Sequence, residues 1–485
     1  VPPEAGRADA ARGGDGRLAP LIVAGVLALA VVALVQGLGP GMLDTTTLTY
    51  FGEGSTRCLH DLGLHAFTSW CHSYAEPAGF PLLTGGPVIV LGALLMYIPG
   101  VDSLGGFVAA QIAFTALALF GGYVLVRRLG GGRWVALGTS VAYAVSPSVI
   151  GMEGFGGTFT GFVLLPLYAA MDVLVMDALR TRAPRRRLAL LVAAYVVVRT
   201  GALFMDGYSF VGSLVVSACL WVAWALHRDL ELRRRASGAA IVVAGNVVAL
   251  VVYLLYVPVP YPVSPIEVFR SMGLDVTTIF EPSQYVWWAT KLGVSTDHAA
   301  LWGDSSNSMY NYAGLGCVVL AVWYLARRPR HLRALALVAA GLIALVLSFG
   351  PALKTGQVRP PAADFYSMPQ GLAPELPWDR LLTTLPGLKS MRATYRWFGV
   401  VRLALVVLAG LGVAEIARSR TRRWRIAAAV LGVCALIDLL PTVPYFVRRY
   451  RAAYHERVGL MAQVEPDLQR LTRPGERVFF LKYTG

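Results

Sequence analysis

From Leu104 to Arg128 the chain reads LGGFVAAQIAFTALALFGGYVLVRR, a stretch without a charged residue until two arginines close it. A bilayer core ~30 Å thick is crossed by a helix of about 20 apolar residues, and lipid offers no partner to an unpaired backbone group. The stretch therefore predicts a transmembrane helix that ends at a charged surface. The same pattern recurs at Ala19–Leu38, Trp134–Ile150, Thr160–Ala178, Leu188–Phe204, Tyr208–Leu226, Ser237–Val257, Ala313–Ala326, Ala334–Phe349, Trp397–Ile416 and Ile426–Phe446. The fold class expected is an all-α polytopic membrane protein, a bundle of about eleven transmembrane helices. Composition agrees: 485 residues, 56% hydrophobic and 15% charged, with a mean hydropathy of +0.58, are too apolar for a water-soluble core.

The formal charge of +15 has two explanations, nucleic acid or membrane topology. The arginines sit in short clusters between apolar runs and not in a stripe with interleaved aromatics, which excludes nucleic acid as a partner. The clusters are Arg127, Arg128 and Arg133; Arg180 to Arg187; Arg228 to Arg235; Arg327 to Arg333; and Arg418 to Arg425. Successive clusters enclose two apolar runs each, so the positive-inside rule puts all five in the cytoplasm, the N-terminus inside and the C-terminus outside. Residues 1–18 then form a disordered cytoplasmic tail, and 19–446 the membrane domain, whose first run is a signal anchor. Outside lie loops 39–103, 258–312 and 351–396 and a tail, 447–485, whose strand-like run Arg477–Lys482 suggests the start of a further soluble domain. Counting Pro87–Ile98 as a crossing would invert the parity, and it is too short to cross. It is expected to be a re-entrant or interfacial helix, entered through Gly85, Gly86 and Pro87.

The outward loops concentrate the polar chemistry. Asp44, just beyond the first span, has two readings of equal weight: a carboxylate held at the interface as a general base, or the cap of a short interfacial helix. Glu76 opens a proline- and glycine-rich approach to the short helix. Glu153 and Asp206 lie in small outer turns, the latter better read as a turn residue. His60, His65 and His72 lack metal-ligand spacing and read as surface histidines. Arg199 and Arg402 lie within spans, where an arginine costs roughly 2.5–3.5 kcal/mol on insertion scales. Each therefore needs a ligand, a cavity or an ion pair, with Asp172 and Asp438 as the available carboxylates. Arg392 and Arg396, four residues apart, would share one helical face at the outer boundary, suited to a lipid phosphate or to plain interfacial anchoring. Cys219, Cys317 and Cys434 are packing residues within apolar segments. Cys58 and Cys71 share one polar loop, as a disulfide or as two free thiols.

On these residues the chain resembles the GT-C superfamily of integral membrane glycosyltransferases, and more loosely its YfhO-like and arabinofuranosyltransferase-like bacterial members. The likeness rests on Asp44 early in a long loop after the first span, and on Gly79-Phe-Pro-Leu-Leu-Thr-Gly-Gly-Pro leading into a juxtamembrane helix. It continues in Val126-Arg-Arg-Leu-Gly, in Pro166, and in Arg392-Ala-Thr-Tyr-Arg-Trp before a span ending in Ala-Gly-Leu-Gly. The resemblance implies a polyprenyl-phosphate-linked sugar as donor and an envelope glycan or glycolipid as acceptor. Asp44 would be the catalytic base and Arg199, Arg392 or Arg396 the holder of the donor phosphate. Thr45 stands where many members have a second acid, so a divalent cation is left open as a cofactor. Two other classes compete: a transporter or lipid flippase lined by Arg199, Asp172 and Asp438, against which no internal repeat is found, and a non-catalytic envelope assembly protein.

Overall fold

The computed structural model describes residues 19–43, 47–69, 85–152, 157–227, 230–256, 263–304, 306–385, 387–419 and 421–471. Among them every regular element is helical, and extended chain pairs only in isolated bridges between loops. The longer helices are α1 (Ala19–Val35), α2 (Thr47–Leu62), α3 (Gly86–Leu95), α4 (Ser103–Arg128), α5 (Arg133–Ala144), α6 (Leu165–Arg180), α7 (Arg185–Met205), α8 (Gly207–Ala225), α9 (Leu232–Tyr256), α10 (Leu315–Arg327), α11 (Leu332–Ser348), α12 (Phe398–Ala417), α13 (Arg422–Asp438) and α14 (Val443–Leu471). Among the described residues six segments are long and apolar enough to cross a membrane: Ser103–Arg128, Thr160–Arg180, Arg185–Met205, Gly207–Ala225, Leu232–Tyr256 and Thr394–Ala417. Helices α1, α3, α10 and α11 are shorter apolar helices. The all-α membrane bundle expected from the apolar runs is present.

Three of those runs are not single helices; Thr160–Ala178 has a one-residue turn at Leu164, between the short helix Gly157–Val163 and α6. Trp134–Ile150 divides into α5 and a short helix, Pro147–Ile150, because Ser146 is extended ahead of Pro147, whose ring disfavours a helical predecessor. Ile426–Phe446 ends at Asp438, and α14 restarts the chain at Val443, after Pro441. The expected tail from 447 onward is, as far as 471, part of a long helix that begins at Val443; Arg477–Lys482 lies outside the described residues. This helix folds back on the bundle. Leu43 donates its N–H to the Tyr450 carbonyl at 3.1 Å, and Arg457 pairs with Glu53, which also accepts the Ser103 hydroxyl at 2.9 Å.

The short run Pro87–Ile98 is the helix α3. Gly85, at φ 77°, and Pro87 turn the chain into it, and the Gly85 N–H donates to the Met205 carbonyl at 2.8 Å, at the end of α7. It lies backbone to backbone on α4, since a Cβ on Gly106 would come within 2.6 Å of the Gly92 carbonyl oxygen. Helix α4 begins where Asp102 accepts the Gly105 N–H at 2.7 Å and ends in Arg127 and Arg128, cations beside its free carbonyls. The heart of the bundle is α12, buried along most of its length and packed on α5, α10, α11 and α13.

All five arginine clusters meet on one face. Asp177 pairs with Arg128 at 3.6 Å and Arg333 at 2.5 Å, Glu415 with Arg328 at 2.7 Å and Arg418 at 2.6 Å, and Glu231 with Arg182 at 2.8 Å. The long loops gather at the opposite face: Trp287 and Thr442 exchange backbone hydrogen bonds with Leu440 and Tyr285, and Leu274 bonds to Ser348. The arginine clusters and the second and third long loops thus lie on opposite faces of the bundle.

Within the bundle, Arg199 and Asp172 form an ion pair at 2.8 Å with both side chains 1% exposed. Ser213 takes a second guanidinium N–H at 2.7 Å, and Ser217 and Trp221 each donate to the other carboxylate oxygen at 2.8 Å. Breaking such a pair on one side strands a charge and costs about 3–5 kcal/mol, whereas replacing both partners by apolar groups costs far less. Asp172→Leu is therefore expected to lower the apparent melting midpoint in detergent well below that of the double variant Arg199→Met/Asp172→Leu; equal midpoints would show that the pair does not hold the bundle.

Candidate active site

Asp44, Glu76, Glu153 and Cys71 lie outside the described residues. Cys58 is fully buried and disulfide-bonded, and Cys219, Cys317 and Cys434 are free. Of the other site candidates, Arg199 lies inside the bundle on Asp172, while Asp206, Arg392 and Arg396 come together at the face of the long loops.

Asp206 caps α8, accepting the Ser209 N–H at 2.8 Å, as its reading as a turn residue anticipates. Two residues on, the Tyr208 hydroxyl accepts the Ala393 N–H at 3.0 Å, which ties the third outer loop to the head of α8. The spacing of Arg392 and Arg396 does not place them on one helical face. Arg392 is in irregular chain and Arg396 in a 3₁₀ turn, Thr394–Trp397, so they diverge. The Arg396 guanidinium is nearly buried, 4.8 Å from the centre of the Tyr208 ring and 5.9 Å from that of Tyr395. Arg392 is exposed, with its guanidinium 5.9 Å from the Tyr366 ring. The aromatic faces orient both guanidiniums, and the Asp206 carboxylate is close enough to act on Arg396 as well.

The second and third outer loops join into one body behind these arginines. Asp275 and Lys354 pair as a bridge, and Asp275 also accepts the N–H groups of Thr277 and Gly356. The approach is close enough at Gly273 that a Cβ would sit 2.1 Å from the Phe349 carbonyl oxygen. Lys354 is wholly buried, its ammonium donating to the carbonyls of Ser271 at 2.5 Å and Trp302 at 3.2 Å. Burial pushes its pKa down to about 7, against the attraction of Asp275 and Asp304. Asp304 also faces Tyr366, whose phenol is raised first by burial and then by that carboxylate, opposed by Arg392 and Arg396. The result is a mixed-charge, aromatic-walled corner at the outer end of α8 and α12.

His60 is engaged locally, with Nδ1 3.0 Å from Asp61 and its ring 4.8 Å from that of Tyr97. Among the described residues no three histidine, cysteine, aspartate or glutamate side chains converge as a metal site.

No family model and no curated protein matches the sequence. Solved structures do match in shape. The oligosaccharyltransferase of Archaeoglobus fulgidus in its apo form aligns over 96% of this chain and 61% of its own, with 11% identity and a TM-score of 0.55. The same enzyme, AglB, in complex with an inhibitory peptide and a dolichol-phosphate aligns over the same shares, with 12% identity and a TM-score of 0.55. The chain has a GT-C-type membrane fold. It spans about three fifths of the archaeal enzyme's length. ArnT from Cupriavidus metallidurans in the apo state aligns over 94% of this chain and 82% of its own, with 13% identity and a TM-score of 0.48.

Sequence reasoning missed Lys354, Asp304, Tyr208 and Tyr366. Lys354 did carry a signal, as a lysine in a chain whose cations are nearly all arginine. Its ionisation should show in stability. Below about pH 7 the folded and unfolded chains both hold the proton; between about 7 and the ordinary 10.5 only the unfolded chain does. Stability should therefore rise with pH across that window, by up to about 1.4 kcal/mol per pH unit, and be lost again as pH falls through 7. Denaturation across this range should show the rise in the parent chain and a flatter profile in Lys354→Met; identical slopes would rule out a depressed lysine.

Proposed function

We propose that this chain is a membrane glycosyltransferase that moves a sugar from a polyprenyl-phosphate donor to an envelope glycan or glycolipid at the extracytoplasmic face. The observation that carries the proposal is the pairing of the GT-C-type fold with Arg396 and Arg392, held over aromatic rings at the outer end of the bundle. A donor with an isoprenoid tail stays in the lipid, so its phosphate can be met only at this level, and guanidinium is the group suited to it. The dolichol-phosphate complex of the archaeal enzyme supports a donor of this class. The arabinofuranosyltransferase-like assignment rests on sequence resemblance alone.

In this proposal Asp44 is the base that takes the proton of the acceptor hydroxyl as the sugar's anomeric carbon leaves the donor phosphate. Arg396 and Arg392 hold that phosphate and stabilise the charge it gains as leaving group. Arg199 is given no such role, because Asp172 already neutralises it inside the bundle. Glu76, Glu153 and Asp206 are assigned to substrate binding in the same proposal. No step is routed through a cation. Flippase and transporter readings lose their path, since Arg199 and Asp172 are sealed at 1% exposure and Asp438 is taken up by Trp288, Tyr312 and Gly316.

Asp44→Asn is expected to leave the melting midpoint unchanged and to cut transfer from a polyprenyl-phosphate sugar about 10²–10⁴-fold. Arg396→Gln should weaken donor binding more than Arg396→Lys. Undiminished transfer by the Asp44 variant would refute the catalytic assignment, and product-free movement of the lipid in proteoliposomes would refute the enzyme.

A further inference from the structure

On the arginine face a cavity of about 980 Å³ opens between the ends of α4, α6 and α11. Its floor is cationic: Arg127, Arg128, Arg180 and Arg333 line it, with Asp177 as the one carboxylate among the described residues. Leaving Arg180 out of the balance, Arg127, Arg128 and Arg333 still outnumber Asp177 among the described lining residues. The pairing within the cavity is unequal. Arg333 reaches Asp177 at 2.5 Å, Arg128 stands off at 3.6 Å with its side chain 44% exposed, and Arg127 spends one N–H on the Gly131 carbonyl at 2.9 Å. Each guanidinium carries five N–H donors, so these contacts leave most of those on Arg127 and Arg128 for another acceptor.

The upper wall is apolar, formed by Phe120, Val124 and Leu174. Phe120 is 61% exposed and lies about two turns, roughly 12 Å, up α4 from Arg128, on the surface that faces lipid. A cationic floor beneath an open apolar wall fits an amphiphile better than a free ion. We propose that this cavity binds an anionic phospholipid of the leaflet on the arginine face, its phosphate on Arg127, Arg128 and Arg180 and an acyl chain along Phe120 and Leu174. By the positive-inside rule that leaflet is the cytoplasmic one, where basic pockets between helices meet anionic headgroups. The site lies across the membrane from the proposed transfer site and does not depend on it.

The test is native mass spectrometry of the whole chain released from nanodiscs of mixed phosphatidylglycerol and phosphatidylcholine. One phosphatidylglycerol should be retained in preference to phosphatidylcholine. Arg127→Gln/Arg180→Gln should lower the retained fraction about tenfold, and Asp177→Asn, which removes the competing carboxylate, should raise it. That gain cannot come from misfolding, so the pair of variants separates lost binding from lost structure. Equal retention of the two lipids, or retention unaltered in both variants, would overturn the proposal. Displacement of the lipid by millimolar inorganic phosphate would overturn it in favour of a bare-anion site.

Discussion

A guanidinium shut inside an apolar bundle must be surrounded by oxygen, and the placement of the outer face follows from how Arg402 meets that demand. Arg402 is wholly buried on α12, and among the described residues no carboxylate accepts its hydrogen bonds. Its N–H groups go to the Ala313 carbonyl at 2.6 Å, to the Tyr312 carbonyl and to the Ser148 hydroxyl at 3.1 Å. Asp438 enters the same knot indirectly, accepting from the Tyr312 hydroxyl, the Gly316 N–H and Trp288. One side chain thus clamps the end of the second outer loop, the start of α10 and the short helix Pro147–Ile150 onto α12. Arg396 stands only roughly 10 Å further along the same stretch of chain, so the clamp fixes the body against which it is held.

Arginine carries most of the positive charge in this chain, and surroundings decide what it does. On the face of the arginine clusters, guanidiniums share carboxylates, Arg128 and Arg333 meeting on Asp177 and Arg328 and Arg418 on Glu415. Inside the bundle, Arg199 is held by a carboxylate and Arg402 mainly by carbonyl dipoles, and both serve cohesion. At the outer boundary, Arg392 and Arg396 lie over tyrosine rings, whose attraction orients a cation without cancelling it. Among the described residues this arrangement brings two oriented guanidiniums and the Asp206 carboxylate together beside the long loops.

The bundle was legible because lipid imposes long uninterrupted apolar runs, and the charge at their ends set the alternation of faces. Its interruptions were misjudged where hydropathy continues through a proline, as at Pro147 and Pro441. Helix α14 was hidden for the opposite reason: its arginines and glutamates dilute the hydropathy, and its place depends on contacts with Leu43 and Glu53 far off in sequence. The four-residue spacing of Arg392 and Arg396 failed as a geometric argument because it assumes 3.6 residues per turn, and the chain there is irregular and then 3₁₀. Lys354 had no local pattern, since its enclosure exists only once Ser271 and Trp302 have folded over it.

That enclosure explains why a lysine is tolerated there. A neutral amine has two N–H groups, and two carbonyls face it; an ammonium brings a third donor and a charge into a space shut off from water. Losing the proton therefore keeps the bonds to Ser271 and Trp302, so the joined loops hold on either side of neutrality. What changes is the field. With the amine neutral, Asp304 is offset less from that side, and its charge bears more fully on Tyr366, the ring that Arg392 overlies. The loops behind the outer arginines are held by hydrogen bonds that do not depend on charge, while the electrostatic balance at those arginines stays responsive to it.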